Sequence, residues 1–260
     1  MSDPLYDRPE VCCTYFFPQP GGPLPAASGA GPVALALPDG TPISGYAVRT
    51  LDDAPTLLYL HGNGETIADQ LGHWPVWARE AGANIFFVDY PGYALSRGAP
   101  TFTSCRQAAR AALDHLLDRG ERVLLAGRSV GSNFALDAAA ARPDRVAGLM
   151  LESGVADLWQ RLELRGPWDT AGLDPARLEA EVKRDFDHRA KLSRLSCPVL
   201  VLHTRQDSLI PCWHAEQLAR WAGERLLRLV LFEDGDHNTI QLFNETAYRA
   251  HLGELVAACR

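Results

Sequence analysis

Residues 127–131 read Gly-Arg-Ser-Val-Gly, a serine with a glycine two positions away on either side. A serine hydroxyl is a poor nucleophile at neutral pH unless a base removes its proton. That base is most often a histidine. The histidine in turn needs a carboxylate on its other ring nitrogen, which fixes its tautomer and stabilises its cation. Asp207 follows the apolar run PVLVLH and His237 follows the run LLRLVLF. In the order Ser129, Asp207, His237 the chain carries a nucleophile, an orienting acid and a base, each behind its own strand-like run. The chemistry this implies is attack on a carbonyl with a covalent acyl intermediate. Glu152, at the end of RVAGLMLE, is a rival acid, and Asp236 is a neighbour of His237, although adjacent side chains diverge. Ser132 lies almost one turn into the following helix and reads as packing. His61 reads as a brace of its loop backbone, and His203 as packed at its strand end. Arg128 reads as a brace between loops or as a substrate contact.

The elements that must position these groups follow from the pattern around them. Residues 123–126, VLLA, have the length and character of a buried strand, and the Ala-rich stretch 134–141 is made of helix formers. A strand that turns this abruptly into a helix strains its central residue, and only small residues fit on either side. The turn lifts the Ser129 hydroxyl above the sheet. It also aims the first N–H groups of the helix, starting with Val130, at the group under attack. A second donor is expected from the loop after TLLYL, which reads HGNGE.

Further strand-like runs stand at 32–48 (a hairpin around Asp39-Gly40), 56–60, 83–89, 145–152, 198–203 and 226–232. Helical patterns stand at 68–81, where Pro75 predicts two short pieces, and at 103–119 and 244–258. Alternating strands and helices predict an α/β fold with a mostly parallel sheet covered on both faces. Residues 1–31, rich in Pro, Gly, Ala and Ser, read as an N-terminal arm, and 32–260 as the main domain. At 155–195 no buried strand is evident, which predicts a small, mostly helical cap insertion. Trp159 and Trp168 in that insertion either line an acyl pocket or pack the cap, and both stand as candidate substrate contacts. Charges of both signs recur through it, so short or medium acyl groups are expected rather than lipid at an interface.

The chain has 260 residues, 47% hydrophobic and 22% charged, with a net charge of −7 and no long basic run. That balance excludes an electrostatic case for nucleic acid or an anionic membrane as a partner. The start, MSDPLYDRPEVCC, lacks a basic stretch followed by an apolar run, and no apolar stretch reaches the ~20 residues of a membrane span. Neither a signal peptide nor stable membrane insertion is expected. The six cysteines, at 12, 13, 105, 197, 212 and 259, match neither zinc-site spacing nor a disulfide scaffold. Reduced thiols in a cytoplasmic protein are the expectation. No metal and no cofactor is expected: the sequence offers no metal-ligating cluster and no phosphate loop.

The segments HGNGE, DYPGYALS, GRSVGS, the aspartate in QDSLIP, and GDHN resemble the α/β-hydrolases over 32–258. Within them the chain is most similar to a short-capped branch that includes depalmitoylase-like enzymes and many uncharacterised bacterial hydrolases. The resemblance implies an α/β-hydrolase fold, with a mostly parallel central sheet flanked by helices and a small helical cap. It implies ester, thioester or amide hydrolysis through an acyl-enzyme on Ser129, Asp207 and His237. It also implies that the second oxyanion donor is the backbone N–H of Asn63. Two departures stand out. Ala94 occupies a position of DYPGYALS that is usually glycine, where it is expected only to stiffen the loop. The N-terminal cysteine cluster of the depalmitoylases is reduced here to Cys12-Cys13. An aspartate at 129 would have pointed to epoxide hydrolases or dehalogenases; serine disfavours both. The leading expectation is a cofactor-independent carboxylesterase or thioesterase acting on a small acyl substrate. An amidase or peptidase on the same residues, and a non-catalytic receptor of the same fold, are the alternatives.

Overall fold

The computed structural model describes residues 3–259. Eight strands form one sheet: β1 (Ala30–Ala36), β2 (Pro42–Val48), β3 (Thr56–Leu60), β4 (Asn84–Val88), β5 (Val123–Arg128), β6 (Val146–Glu152), β7 (Val199–Thr204) and β8 (Leu226–Phe232). They lie in the order β1-β2-β4-β3-β5-β6-β7-β8. The β1–β2 and β2–β4 pairs are antiparallel; from β4 to β8 every pair is parallel. The inner parallel strands, β3 to β7, are mostly continuous apolar runs because both faces are covered, whereas the edge strand β8 is only part-buried. Leu58, Leu60, Phe86, Val88, Leu125, Leu149 and Val201 enter one core, and the residues beside them, Leu57, Tyr59, Ile85, Phe87, Leu124, Met150 and Leu202, enter the other.

Helices α4 (Phe102–Asp118), α5 (Gly131–Ala141) and α9 (Trp213–Ala222) cover the first face; α3 (Trp74–Ala81), the short α10 (Ile240–Phe243) and α11 (Glu245–Ala258) cover the second. The expected break before Pro75 is there. A short α2 (Ile67–Gln70) ends, and α3 begins afresh with Pro75 in its first turn, where a missing N–H costs nothing. The sequence pattern marks no element between β7 and β8, where the chain forms α9. From β3 the chain crosses to β4 on one side, then returns to β5 on the other. That reversal opens a crevice at the carboxyl ends of β3 and β5, where such sheets bind ligands.

Between β6 and β7 the chain forms α6 (Leu158–Glu163), α7 (Pro175–Asp185) and α8 (His188–Ser193) and no strand. Trp159, Leu162, Trp168, Leu173 and Leu178 from this segment are buried in the first core. Asp137 on α5 fixes the segment from below. Its buried carboxylate meets Arg106 at 2.8 Å, Arg110 at 2.7 Å and Lys191 of α8 at 2.9 Å.

The N-terminal segment is more ordered than an arm of Pro, Gly and Ser implies. Residues Pro9–Tyr15 form a helix, α1, with Pro at its start. Tyr6, Val11, Tyr15 and Phe16 are buried, and Tyr6 meets Phe102 and Phe186 edge to face. The Leu5 N–H donates to Glu181 at 2.5 Å and the Tyr6 hydroxyl to Asp185 at 2.8 Å. The aromatic residues between its prolines supply the burial that composition alone conceals.

Candidate active site

Ser129 stands between β5 and α5 with φ of +52°, the left-handed region that a side chain enters only when the surroundings impose it. The surroundings do so by proximity. A Cβ on Gly131 would stand 2.2 Å from the Leu60 carbonyl oxygen, and one on Gly127 would stand 2.6 Å from that of Gly131. The Ser129 N–H donates to the Glu152 carbonyl at 2.9 Å, which pins the turn to β6.

The structure brings Ser129, His237 and Asp207 together. Nε2 of His237 lies 2.9 Å from the Ser129 hydroxyl, and Nδ1 lies 2.7 Å from Oδ2 of Asp207. Oδ1 of Asp207 accepts the backbone N–H groups of Leu209 at 3.0 Å and Ile210 at 2.7 Å. Burial alone would raise the Asp207 carboxyl; the His237 ring and the Ile210 N–H outweigh it and hold it below the usual carboxylate range. His203, fully buried, places Nε2 2.7 Å from the Ile210 carbonyl and 3.4 Å from Asp207, so it braces the same loop. Burial keeps His203 below the ordinary histidine value, despite the pull of the Ile210 carbonyl and Asp207.

The rival groups are engaged elsewhere. Glu152, wholly buried, receives the Tyr248 hydroxyl at 2.6 Å and the Gln241 amide at 2.9 Å, and it lies 3.2 Å from the Arg128 guanidinium. Asp236 caps its own turn through Asn238 and Thr239. The Ser132 hydroxyl donates to the Ser129 carbonyl at 2.6 Å and accepts from the Val155 N–H. His61 sits 3.6 Å from Asp89 and against its own loop. Arg128 is the brace: it pairs with Glu65 and Glu152, and its Nη2 donates to the His237 carbonyl at 2.8 Å. Burial works against its charge, but the two glutamates reverse that and hold the guanidinium above its ordinary value.

A cavity of about 250 Å³ lies over the Ser129 hydroxyl, and Asn63, Val130 and His237 line it. Among the described residues, the N–H groups of Asn63 and Val130 donate to no protein acceptor. The Asn63 side chain is held on all sides: Oδ1 accepts the Phe17 N–H at 2.9 Å and the Tyr93 hydroxyl at 2.6 Å, and Nδ2 donates to the Tyr15 carbonyl.

Trp159 and Trp168 are not part of this cavity. Both are buried in the cap's own packing, and Trp159 lines a separate recess beside Lys183 and Trp221. Of the two readings left open for these tryptophans, packing of the cap is the one their burial supports. The walls come from residues that sequence reasoning passed over: Arg161 and Arg165 from the insertion, Tyr15 and Phe17 from the N-terminal segment, Leu209 and Ile210 from the loop after β7. A signal existed for the arginines, which stand four apart, Arg161 on α6 beside Trp159 and Leu162 and Arg165 just past its end, but their charge reads as a solvated face.

Among the described residues no group of three or more His, Cys, Asp or Glu side chains converges as a metal site would require, and no helix is long and apolar enough to cross a membrane.

An eight-stranded sheet with a sharp strand–turn–helix at Ser129 defines an α/β-hydrolase architecture, and the comparisons agree. Residues 55–197 match the alpha/beta hydrolase fold family, and the chain belongs to it. It is similar to the uncharacterized protein YfhR of Escherichia coli K12, at 28% identity over 249 residues, covering 90% of this chain and 82% of that one. It is also similar to the human alpha/beta hydrolase domain-containing protein 17B, at 26% identity, covering 73% of this chain and 62% of the relative. Among solved structures, the Pyrococcus furiosus esterase Pf2001 superposes with a TM-score of 0.71 at 18% identity, covering 94% and 97% of the two chains.

Proposed function

We propose that this protein is a serine hydrolase that cleaves an ester or thioester through an acyl-enzyme. The observation that carries the reading is the unbroken run of hydrogen bonds from Asp207 through His237 to Ser129, at the floor of a cavity with two uncommitted backbone N–H groups. In the first half-reaction the Ser129 oxygen attacks the substrate carbonyl while Nε2 of His237 takes its proton. Asp207 stabilises the imidazolium that forms. The N–H groups of Val130 and Asn63 receive the oxyanion; loss of one such donor elsewhere costs about 10²–10³ in turnover. The tetrahedral adduct collapses, and His237 gives its proton to the departing alcohol or thiol. Water then attacks the acyl-Ser129 ester by the same route and releases the acid.

No cofactor or metal enters this scheme, and the proposed partner is a small acyl substrate, with neither nucleic acid nor membrane. The cavity's size favours short or medium acyl groups. The proposed setting is the cytoplasm, which the six unpaired cysteines support. A fluorophosphonate probe tests the reading directly. The wild-type protein should be labelled at Ser129 and turn over a short ester; Ser129→Ala should lose the label and the turnover. Wild-type turnover in the Ser129→Ala protein would refute it.

A further inference from the structure

The cavity over Ser129 is lined by three arginines and by no aspartate or glutamate, in a chain whose net charge is −7. Arg128 is neutralised by Glu65 and Glu152. Arg161 and Arg165 are not: among the described residues neither has a carboxylate within 4.0 Å. Arg165 is nonetheless held in place. Its Nη1 donates to the Thr14 carbonyl at 2.7 Å, and its guanidinium lies over the Tyr15 ring, 4.7 Å from the centroid. Arg161 is half-buried beside it and has no hydrogen-bond acceptor among the described residues. Burial lowers Arg161 from its ordinary value and Arg165 lowers it further, against the pull of Tyr15 and of the more distant Asp207 carboxylate.

Two solvated surface arginines would be unremarkable. These two share one small concave site, partly stripped of water, with no carboxylate in ion-pair contact among the described residues. Guanidinium groups are forked donors matched to carboxylate and phosphate oxygens, and an unpaired, desolvated cation is costly until such an anion arrives. Tyr15, Phe17, Leu209 and Ile210 supply apolar wall beside them for a short carbon chain.

Building on the serine hydrolase reading, we propose that the substrate is an acidic ester or thioester. Its carbonyl meets Ser129, and an anionic oxygen group, carboxylate or phosphate, a few bonds away meets Arg161 and Arg165. These two residues then determine specificity and take no part in the bond-breaking steps.

The test compares acidic esters with neutral esters of matched length. Methyl hexanoate against monomethyl adipate places the carboxylate on the acyl side. Ethyl butanoate against O-butanoyl glycolate, and butanoyl glycerol against butanoyl glycerol phosphate, place a carboxylate or a phosphate on the leaving group. The expected result is a kcat/KM at least tenfold higher for one or more acidic esters than for the neutral partner, carried mainly by KM and weakened by added salt. The ratio should fall toward one in Arg161→Gln and in Arg165→Gln, and Arg161→Lys should restore part of it. A wild-type preference for every neutral ester, or a ratio unchanged in both glutamine variants, would overturn the proposal.

Two readings on the same preparations separate it from the parent reading. If Ser129 takes the fluorophosphonate label and the neutral esters win, the acidic substrate falls and the serine hydrolase stands. If Ser129 does not label, but the Ser129→Ala protein binds monomethyl adipate by calorimetry and loses it with Arg161→Gln, the hydrolase falls and the anion site stands. Neither label nor binding overturns both.

Discussion

Replacement of Asp207 by asparagine tests the chemistry at its most specific point, because the structure dictates how the new amide must lie. Oδ1 of Asp207 accepts two backbone N–H groups, from Leu209 and Ile210. An asparagine must keep its oxygen there, since a second donor facing those N–H groups would leave three donors and no acceptor. The NH₂ group then occupies the place of Oδ2, 2.7 Å from Nδ1 of His237. A donor at that place requires a lone pair on Nδ1, so the ring proton moves to Nε2. Nε2 lies 2.9 Å from the Ser129 hydroxyl and must be free to accept its proton. With the proton already there, the base is blocked while the fold is intact. The same tautomer trap elsewhere costs about 10⁴-fold in turnover, or about 5 kcal/mol of transition-state stabilisation. The assay is kcat on a short ester, with the rate of fluorophosphonate labelling and the melting temperature read in parallel. Turnover and labelling should fall together while the melting temperature changes little. A loss below about tenfold would refute the reasoning, as it falls far short of the known size of this effect. Asp236→Asn and Glu152→Gln are the controls, and a larger loss in either would transfer the acid's role to that residue.

Three further outcomes follow from the packing and electrostatics. Ala94 has φ of +46°, a conformation that costs an L-residue about 1–2 kcal/mol, so its effect is strain and not the mere stiffening expected of it. Ala94→Gly should raise stability by about 0.5–1 kcal/mol after the extra chain entropy of glycine is subtracted, and a lower urea midpoint would refute this. Arg128→Met leaves Glu152 buried with its charge uncompensated, and should destabilise by about 3–5 kcal/mol in urea unfolding, with much of the loss recovered by the Arg128→Met/Glu152→Gln pair. Burial, helped by the nearby Arg161 and His203, pushes His214 down to about 3, and its Nδ1 accepts the Ala156 N–H, so the folded protein holds this ring neutral. As pH falls below the ordinary histidine value of about 6.5 the unfolded chain takes up the proton first, so this stabilisation is complete above that pH and is lost toward pH 3, by up to about 1.4 kcal/mol per pH unit. Urea titrations from pH 7 to 4 should show a slope of at least that size, because the buried His188 and His203 are held low as well, and His214→Gln should reduce it without abolishing it.

The parts of this molecule legible in its sequence are those whose constraints lie close together along the chain. The strand, turn and helix around Ser129 need only the glycines at 127 and 131 and the apolar residues beside them. Asp207 and His237 are legible because each lies in the loop after an apolar strand, and strand ends in such sheets share one rim. The failures are of another kind. In the insertion, Trp159 and Leu162 are three apart and share the buried face of α6, while Arg161 lies on another face and Arg165 follows just past the helix end, both lining the cavity. The periodicity separates the two faces but does not say which one meets the cavity. Aromatic bulk left pocket wall and cap packing both open, and in the structure it packs the insertion onto the sheet. Tyr15 and Phe17 were invisible for a related reason. Their segment is fixed by contacts with Asn63, Arg165, Glu181 and Asp185, which lie 46 to 179 residues away in the chain.

Those distant contacts bear on how the proposed oxyanion site is kept in order. A backbone N–H stabilises a developing charge only if it is aimed beforehand, because reorientation during the reaction would consume the gain. The Val130 N–H is aimed by the strained turn at Ser129. The Asn63 N–H belongs to a loop and has no helix behind it. What fixes residue 63 is its side chain, which exchanges hydrogen bonds with Tyr15, Phe17 and Tyr93. The N-terminal segment therefore reaches the chemistry twice, through the wall that Tyr15 and Phe17 form and through the Asn63 amide that they hold. The same segment supports the insertion from the other side, where Thr14 receives Arg165 and Leu5 donates to Glu181. One short stretch of chain thus holds both the proposed oxyanion donor and the arginine of the proposed anion site.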